Sequence, residues 1–249
     1  MKMERIIAVR NNKTIYRDGD KCIKVFNEDY SKADILNEAL NQARAEETGL
    51  HVPRILEVTT VNGRWAIVSE LIKGKTLSQL MQENQGEIEK YLTIFVDLQL
   101  ELHTRSCPEL TRLRDKMICR IGQTELGAAV QRSLLDRLES MPAHSSLCHG
   151  DFIPSNIIIA QNGTPCILDW AHATQGNASA DAARTFLHFL FHNKNELAEK
   201  YLSLFCRKSA SDETCVRNWL PLVAASQSVK SNAEERKFLL GRVNVVNHP

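Results

Sequence analysis

A chain of 249 residues that is 43% hydrophobic and 24% charged can bury a core large enough to fold without disulfides or a structural metal. Its 31 basic and 30 acidic residues are intermixed and leave a net charge of +1, so there is no basic tract of the kind that binds nucleic acid or a membrane surface. Seven cysteines, an odd number with no Cys-x-x-Cys spacing, argue against a zinc site or a disulfide framework. No signal-peptide core follows Met1-Lys2-Met3-Glu4-Arg5, and a soluble, cytoplasmic protein is expected.

The first elements are short strands. Arg5 to Val9, Thr14 to Arg17 and Lys21 to Phe26 are separated by Asn11-Asn12 and Asp18-Gly19, dipeptides that favour hairpin turns. A helix is predicted from Ser31, where Ser31-x-x-Asp34 resembles a capping box and Ile35, Leu36, Ala39, Leu40 and Ala43 recur at helical spacing. Gly49 and Pro53 mark its stop. Two further strands, Arg54 to Val61 and Arg64 to Leu71, flank the Asn62-Gly63 turn.

Beyond Thr76 the period changes. Ile88 to Leu102 and Leu126 to Leu138 read as amphipathic helices, and others are expected at Asp181 to Phe191, Asn195 to Phe205, Asp212 to Ala225 and Asn232 to Leu240. Between them, Leu147 to Cys148, Asn156 to Ala160 and Pro165 to Leu168 are short apolar stretches, the last two joined by Asn162-Gly163 as a hairpin. This order predicts an α+β, two-lobed architecture: residues 1–72 as a sheet lobe, residues 73–249 as a larger helical lobe, and Ser69 to Thr76 as the connector beside a ligand cleft.

One constellation carries chemistry. His149-Gly150-Asp151-Phe152-Ile153-Pro154-Ser155-Asn156 places an Asp five residues before an Asn, and Ile167-Leu168-Asp169-Trp170 ends the following strand with a second Asp. That spacing matches a phosphoryl-transfer loop, in which the first Asp accepts the hydroxyl proton and the Asn and second Asp hold metal. Taken singly, each of the three reads as a turn or strand-end residue. His149 reads as a buried imidazole bracing the loop.

These segments, with the later Asp181-Ala182-Ala183-Arg184-Thr185, resemble the aminoglycoside phosphotransferase family and the related choline and other small-molecule kinases. The resemblance implies a protein-kinase-like fold. It also implies Asp151 as the catalytic residue, Asn156 and Asp169 as Mg²⁺ ligands, and Asp181 and Arg184 as braces of the C-terminal lobe. By themselves Asp181 and Arg184 read as a helix-start carboxylate and an exposed or paired arginine. Cys22-Ile23-Lys24-Val25-Phe26 resembles the strand whose lysine meets the nucleotide phosphates, with Glu38 as its partner and Glu46 and Glu47 as alternatives. Ser69-Glu70-Leu71 resembles the linker between lobes, with backbone groups of Ser69 and Leu71 as adenine contacts.

Two departures stand out. The first turn, Arg10-Asn11-Asn12-Lys13, contains no glycine, and Ala171 follows Asp169-Trp170 where many relatives carry an acidic residue. From Ala171 to Pro249 seven acidic residues face ten Lys and Arg, a poor match to polycationic acceptors. Asp212, Glu213, Glu234 and Glu235 are the acidic candidates there. The expectation is an ATP- and Mg²⁺-dependent transfer to a small-molecule hydroxyl, on an aminoglycoside, amino alcohol or sugar, with GTP as an alternative donor. The competing readings are a catalytically silent nucleotide-binding protein and, less well supported, a protein kinase. No nucleic-acid or membrane partner is expected, and the sequence assigns no oligomeric state.

Overall fold

Tight turns set the register of the N-terminal sheet in the computed structural model, which describes residues 5–10 and 12–243. Residues 1–4, which entered the reading of the N-terminus, and Asn11 of the first predicted turn lie outside the described residues. Strands β1 (Arg5–Arg10), β2 (Lys13–Asp18) and β3 (Lys21–Phe26) form two successive hairpins, with Arg10 opposite Lys13 and Asp18 opposite Lys21. Helix α1 (Lys32–Glu47) follows, capped by Ser31, whose Oγ accepts the Asp34 N–H. Strands β4 (Ile55–Val61) and β5 (Arg64–Glu70) join at Asn62-Gly63, where both residues have positive φ, +51° and +79°, as a two-residue type I′ turn requires. The sheet order is β1-β2-β3-β5-β4, antiparallel throughout.

Alternation along β3 separates two faces. Phe26 lies with Ile35 and Ala39 of α1 and Ile67 of β5, whereas Ile23 and Val25 cluster with Val61, Ala66 and Val68 on the other side. Strand β6 (Gly74–Thr76) leads into α2 (Leu77–Glu83), whose start is a full capping box between Thr76 and Gln79.

Helices α3 (Ile88–His103), α4 (Leu113–Gly122) and α5 (Ala128–Ser140) precede β7 (Ser146–Cys148). The predicted hairpin is β8 (Ile157–Ala160) and β9 (Pro165–Ile167), and β6 adds to its edge in the order β6-β8-β9. Strand β10 (Thr174–Gly176) pairs with β7. Helices α6 (Ala178–Phe191), α7 (Asn195–Ser209), α8 (Glu213–Arg217), α9 (Leu220–Ser228) and α10 (Ala233–Leu240) complete the order. The single helix expected over Asp212 to Ala225 is two. Pro221 stands in the first turn of α9, the position where its missing N–H costs nothing, and the chain breaks just before it.

The chain divides into two compact units. One joins the segment up to Glu87 with Pro154–Ala173; the other joins Ile88–Ile153 with the segment from Thr174 onward. The core of the second unit is aromatic: Phe95 packs its ring at 4.8 Å from Phe152, 5.8 Å from Tyr201 and 6.1 Å from Phe189. Among the described residues no helix is long and apolar enough to cross a membrane.

Candidate active site

In the first unit a cluster of two lysines and two carboxylates forms on the α1 face of the sheet, with Glu38 and Lys13 buried and the Asp169 carboxylate at its more open end, 29% exposed. Lys24 lies two residues before Phe26, so it shares the face that α1 covers, and Ile15 and Ile67 flank it in register. Glu38 is the acidic residue of α1 turned fully into this interface, at 0% exposure, and it pairs with Lys24. Glu46 and Glu47, the sequence alternatives, are partly or fully exposed.

Asp169 reaches the same cluster by an unusual backbone. Its φ and ψ are +66° and 69°, left-handed values that Asp tolerates better than most side chains. Trp170, buried at 0% exposure, anchors the turn: its indole N–H donates to the Ile167 carbonyl and its own carbonyl accepts from Asn41 of α1. The Asp169 carboxylate makes no capping bond to the short 3-10 turn that follows. It lies instead 3.7 Å from Lys24 Nζ.

A fourth member, Lys13, was not singled out as a site residue from sequence. Its ammonium donates to both oxygens of Asp169, at 3.1 and 3.0 Å, and lies 3.6 Å from Glu38. The readable signal was register rather than motif. Lys13 is two residues before Ile15, the partner of Lys24, so both ammonium groups belong to one face of the β2–β3 hairpin.

The electrostatics follow from the pairing. Burial alone would raise the Asp169 pKa, but Lys24 and Lys13 outweigh it and hold the carboxyl well below the usual range. Burial likewise disfavours charge on Lys24, and Asp169 and Glu38 more than reverse that, keeping it above the ordinary lysine value. Glu38 Oε2 is buried with no hydrogen-bond partner. Asn156, 8% exposed, closes a 3-10 turn, and its carbonyl accepts the N–H of Leu168, which ties it to the residue before Asp169. Leu71 spends its N–H on the Asp20 carbonyl, and Ser69 lies in register between Cys22 and Ile55.

In the second unit Asp151 stands on a braced loop. Gly150, with φ +77°, turns the chain in a conformation glycine adopts without strain. The Gly150 N–H donates to Asp181 at 2.7 Å, and the Asp151 N–H donates to His149 Nδ1 at 3.2 Å. Phe152 is fully buried in the aromatic core, worth about 2–3 kcal/mol for such a ring, and its carbonyl accepts from Thr185 Oγ1 at 2.7 Å.

Asp181 is a first-turn residue of α6 and also a buried brace, 3.0 Å from His103 Nε2. Burial opposes its charge, yet the His103 bond and the nearby Gly150 N–H keep its pKa below the ordinary value. Arg184, one turn further along α6, donates to Asp151 Oδ1 at 3.2 Å and lies 3.5 Å from Glu235 of α10. The remaining acidic candidates have local duties: Asp212 caps α8 and Glu213 pairs with Arg217. Helix α6 also walls a cavity of about 530 Å³ with Asn195, Arg217 and Arg242.

A five-stranded antiparallel sheet carrying one helix, a buried lysine–glutamate pair and a strand-end aspartate define a protein-kinase-like α+β fold. Comparison with known proteins places the chain within that class. The sequence profile described as the phosphotransferase enzyme family, APH, matches residues 4–219, and the chain belongs to that family.

Solved structures agree on the fold. The aminoglycoside phosphotransferase APH(4)-Ia superposes with a TM-score of 0.71 at 17% identity, over 96% of this chain and 91% of that one. A thermostable mutant of it has been solved with AMP-PNP and hygromycin B. A choline/ethanolamine kinase family protein from Mesorhizobium loti gives a TM-score of 0.64 at 16% identity, over 98% and 86% of the two chains. Choline kinase LicA from Streptococcus pneumoniae gives 0.63 at 16%, over 97% and 90%. A comparison with curated proteins returns no match.

Proposed function

We propose that this phosphotransferase moves the γ-phosphate of ATP, with Mg²⁺, onto a hydroxyl of a small molecule. The observation that carries the reading is the cluster of Lys13, Lys24, Glu38 and Asp169. Two ammonium groups held among carboxylates are what a polyphosphate needs, and a transition state with little covalent character is served mainly by positioned charge.

The residues suit the metal that such chemistry uses. Lys13 stands as a cation on both Asp169 oxygens, and Glu38 keeps a buried oxygen unpartnered. Asp169 and Asn156 offer hard oxygen donors, and Mg²⁺ is usually bound by one or two carboxylates together with substrate phosphates rather than by a protein cage. When bound, Mg²⁺ neutralises charge on the phosphates. In this reading Lys24 holds the phosphates, Glu38 fixes Lys24, backbone groups of Ser69 and Leu71 meet the adenine, and Asp151 accepts the acceptor's hydroxyl proton.

The acceptor belongs to the amino-alcohol, sugar or aminoglycoside class. Ten Lys and Arg against seven acidic residues beyond Trp170 weigh toward a neutral or singly charged alcohol. Glu235, tied to Asp151 through Arg184, is the carboxylate best placed to recognise a single ammonium. Thermal stabilisation by Mg-ATP and Mg-GTP, in wild type and Asp169→Ala, tests the donor site. A shift that weakens in the variant supports it and leads to ADP-release assays with choline-like alcohols, sugars and aminoglycosides. No shift at millimolar nucleotide sinks it and favours a degenerate kinase-like fold that acts through partners.

A further inference from the structure

The turn before β2 lacks the glycines whose backbone N–H groups cover phosphates in protein kinases, and the residue that follows it is Lys13. Its side chain is 9% exposed, its ammonium lies 5.7 Å from the centre of the Phe26 ring, and it grips both oxygens of Asp169. Lys24 and Glu38 complete a set of two positive and two negative charges. The set is therefore neutral as it stands, with the strand-end carboxylate already occupied by a cation.

We propose that Lys13 is a counter-ion gate: it holds the Asp169 carboxylate until nucleotide phosphates draw it away, so that a divalent metal gains Asp169 only together with a nucleotide. The inference rests on the reading of Asp169 as a metal ligand. A bare divalent cation arriving at this cluster adds two positive charges to a part-buried site that is already balanced, and it meets the Lys13 ammonium on both of the Asp169 oxygens it would use. A nucleotide brings compensating negative charge and gives the Lys13 ammonium an alternative set of oxygens. Lys13 thus replaces the missing glycine-rich cover with a side chain that has two positions of rest, one on the carboxylate and one on phosphate. Metal and nucleotide binding are coupled through it, and the coupling is reciprocal.

The test uses Mn²⁺ as the probe, with free Mn²⁺ followed by electron paramagnetic resonance, with and without saturating ADP. Wild type, Lys13→Gln, Lys13→Met and Asp169→Ala are compared, each checked for folding by its melting temperature. The wild type is expected to bind Mn²⁺ weakly alone and more tightly with ADP. Removing the Lys13 charge is expected to strengthen nucleotide-free Mn²⁺ binding by about tenfold or more and to shrink the ADP-dependent gain by the same factor. Unchanged or weaker nucleotide-free Mn²⁺ binding in a folded Lys13 variant overturns the gate. Asp169→Ala separates the two layers: if it leaves Mn²⁺ binding with ADP intact, the metal assignment fails and the gate falls with it. If Asp169→Ala abolishes that binding while the Lys13 variants match wild type, the gate alone is wrong.

Discussion

Replacing Glu38 by Gln is the sharpest probe of the charge cluster, because it removes one negative charge and almost no volume. The side chain is 1% exposed, so no water stands ready to take over from the carboxylate. Breaking a buried ion pair by removing one partner costs about 3–5 kcal/mol. Here Lys24 retains Asp169 at 3.7 Å and Lys13 retains both Asp169 oxygens, so the lower end, about 3 kcal/mol, is expected. In a chain of this size each kcal/mol moves the melting temperature by about 2–4 °C, giving a fall of about 6–12 °C.

The double variant Lys24→Met/Glu38→Gln supplies the control. It removes the orphaned charge as well, so it should be less destabilised than the sum of its two singles by about 1–3 kcal/mol. Thermal or urea denaturation of the four proteins reads the cycle. A Glu38→Gln melting point within about 2 °C of wild type, or strict additivity in the cycle, would refute the claim that these charges depend on one another away from water.

Three other outcomes follow from the second unit. Asp151→Asn should lower kcat by about 10²–10⁴-fold with the melting temperature unchanged, and near-normal ADP release would remove it from the catalytic role. Asp181→Asn weakens the acceptor for Gly150 N–H and His103 and should cost about 2 kcal/mol by urea denaturation. Because the Asp181 pKa lies below its ordinary value of 3.8, its contribution is complete above that pH and is lost as the pH falls further, so the variant should show a shallower acid limb. Burial, with Arg184 nearby, pushes His188 from 6.5 down to about 3. Between those values the unfolded chain takes up a proton that the folded one refuses, so stability falls as the pH drops below 6.5. His188→Gln should flatten that slope, and an unchanged profile would place the imidazole in solvent.

The N-terminal sheet was readable because its turns are chemically explicit: Asn62-Gly63 forms the β4–β5 turn, the β2–β3 turn falls one residue later than the predicted Asp18-Gly19, at Gly19-Asp20, and β3 alternates faithfully. Glu38 was reached through the family resemblance and not through the apolar period: Leu36 and Leu40 of the predicted stripe are exposed, and the face that α1 buries carries Ile35, Glu38, Ala39, Asn41, Gln42 and Ala45. Lys13 was harder to see. What marks it is not the lack of glycine in the first turn but its place two residues before Ile15, the β2 residue across from Lys24, a register known only once the hairpin is closed. Helix α4 escaped because its buried residues, Met117, Arg120 and Ile121, include a charged one that blurs the apolar period. The double role of Asp181 was hidden for the opposite reason: an acidic residue in a first turn is so ordinary that its burial leaves no mark on the sequence.

The way β6 joins the β8–β9 hairpin has a consequence for biosynthesis. Thr76 pairs with Ile158, so the strand leaves the ribosome about 80 residues before its partner does. At about 5–20 residues per second, that is a wait of about 4–16 s during which the strand edge has nothing to bond. A fragment ending near Glu87 would also lack Asp169 and Trp170, the residues that give the α1 face its counter-charge and its anchor. The first unit is therefore completed late, only once the segment up to Ala173 exists. Split or truncated versions cut between residues 87 and 154 should aggregate rather than yield a working half.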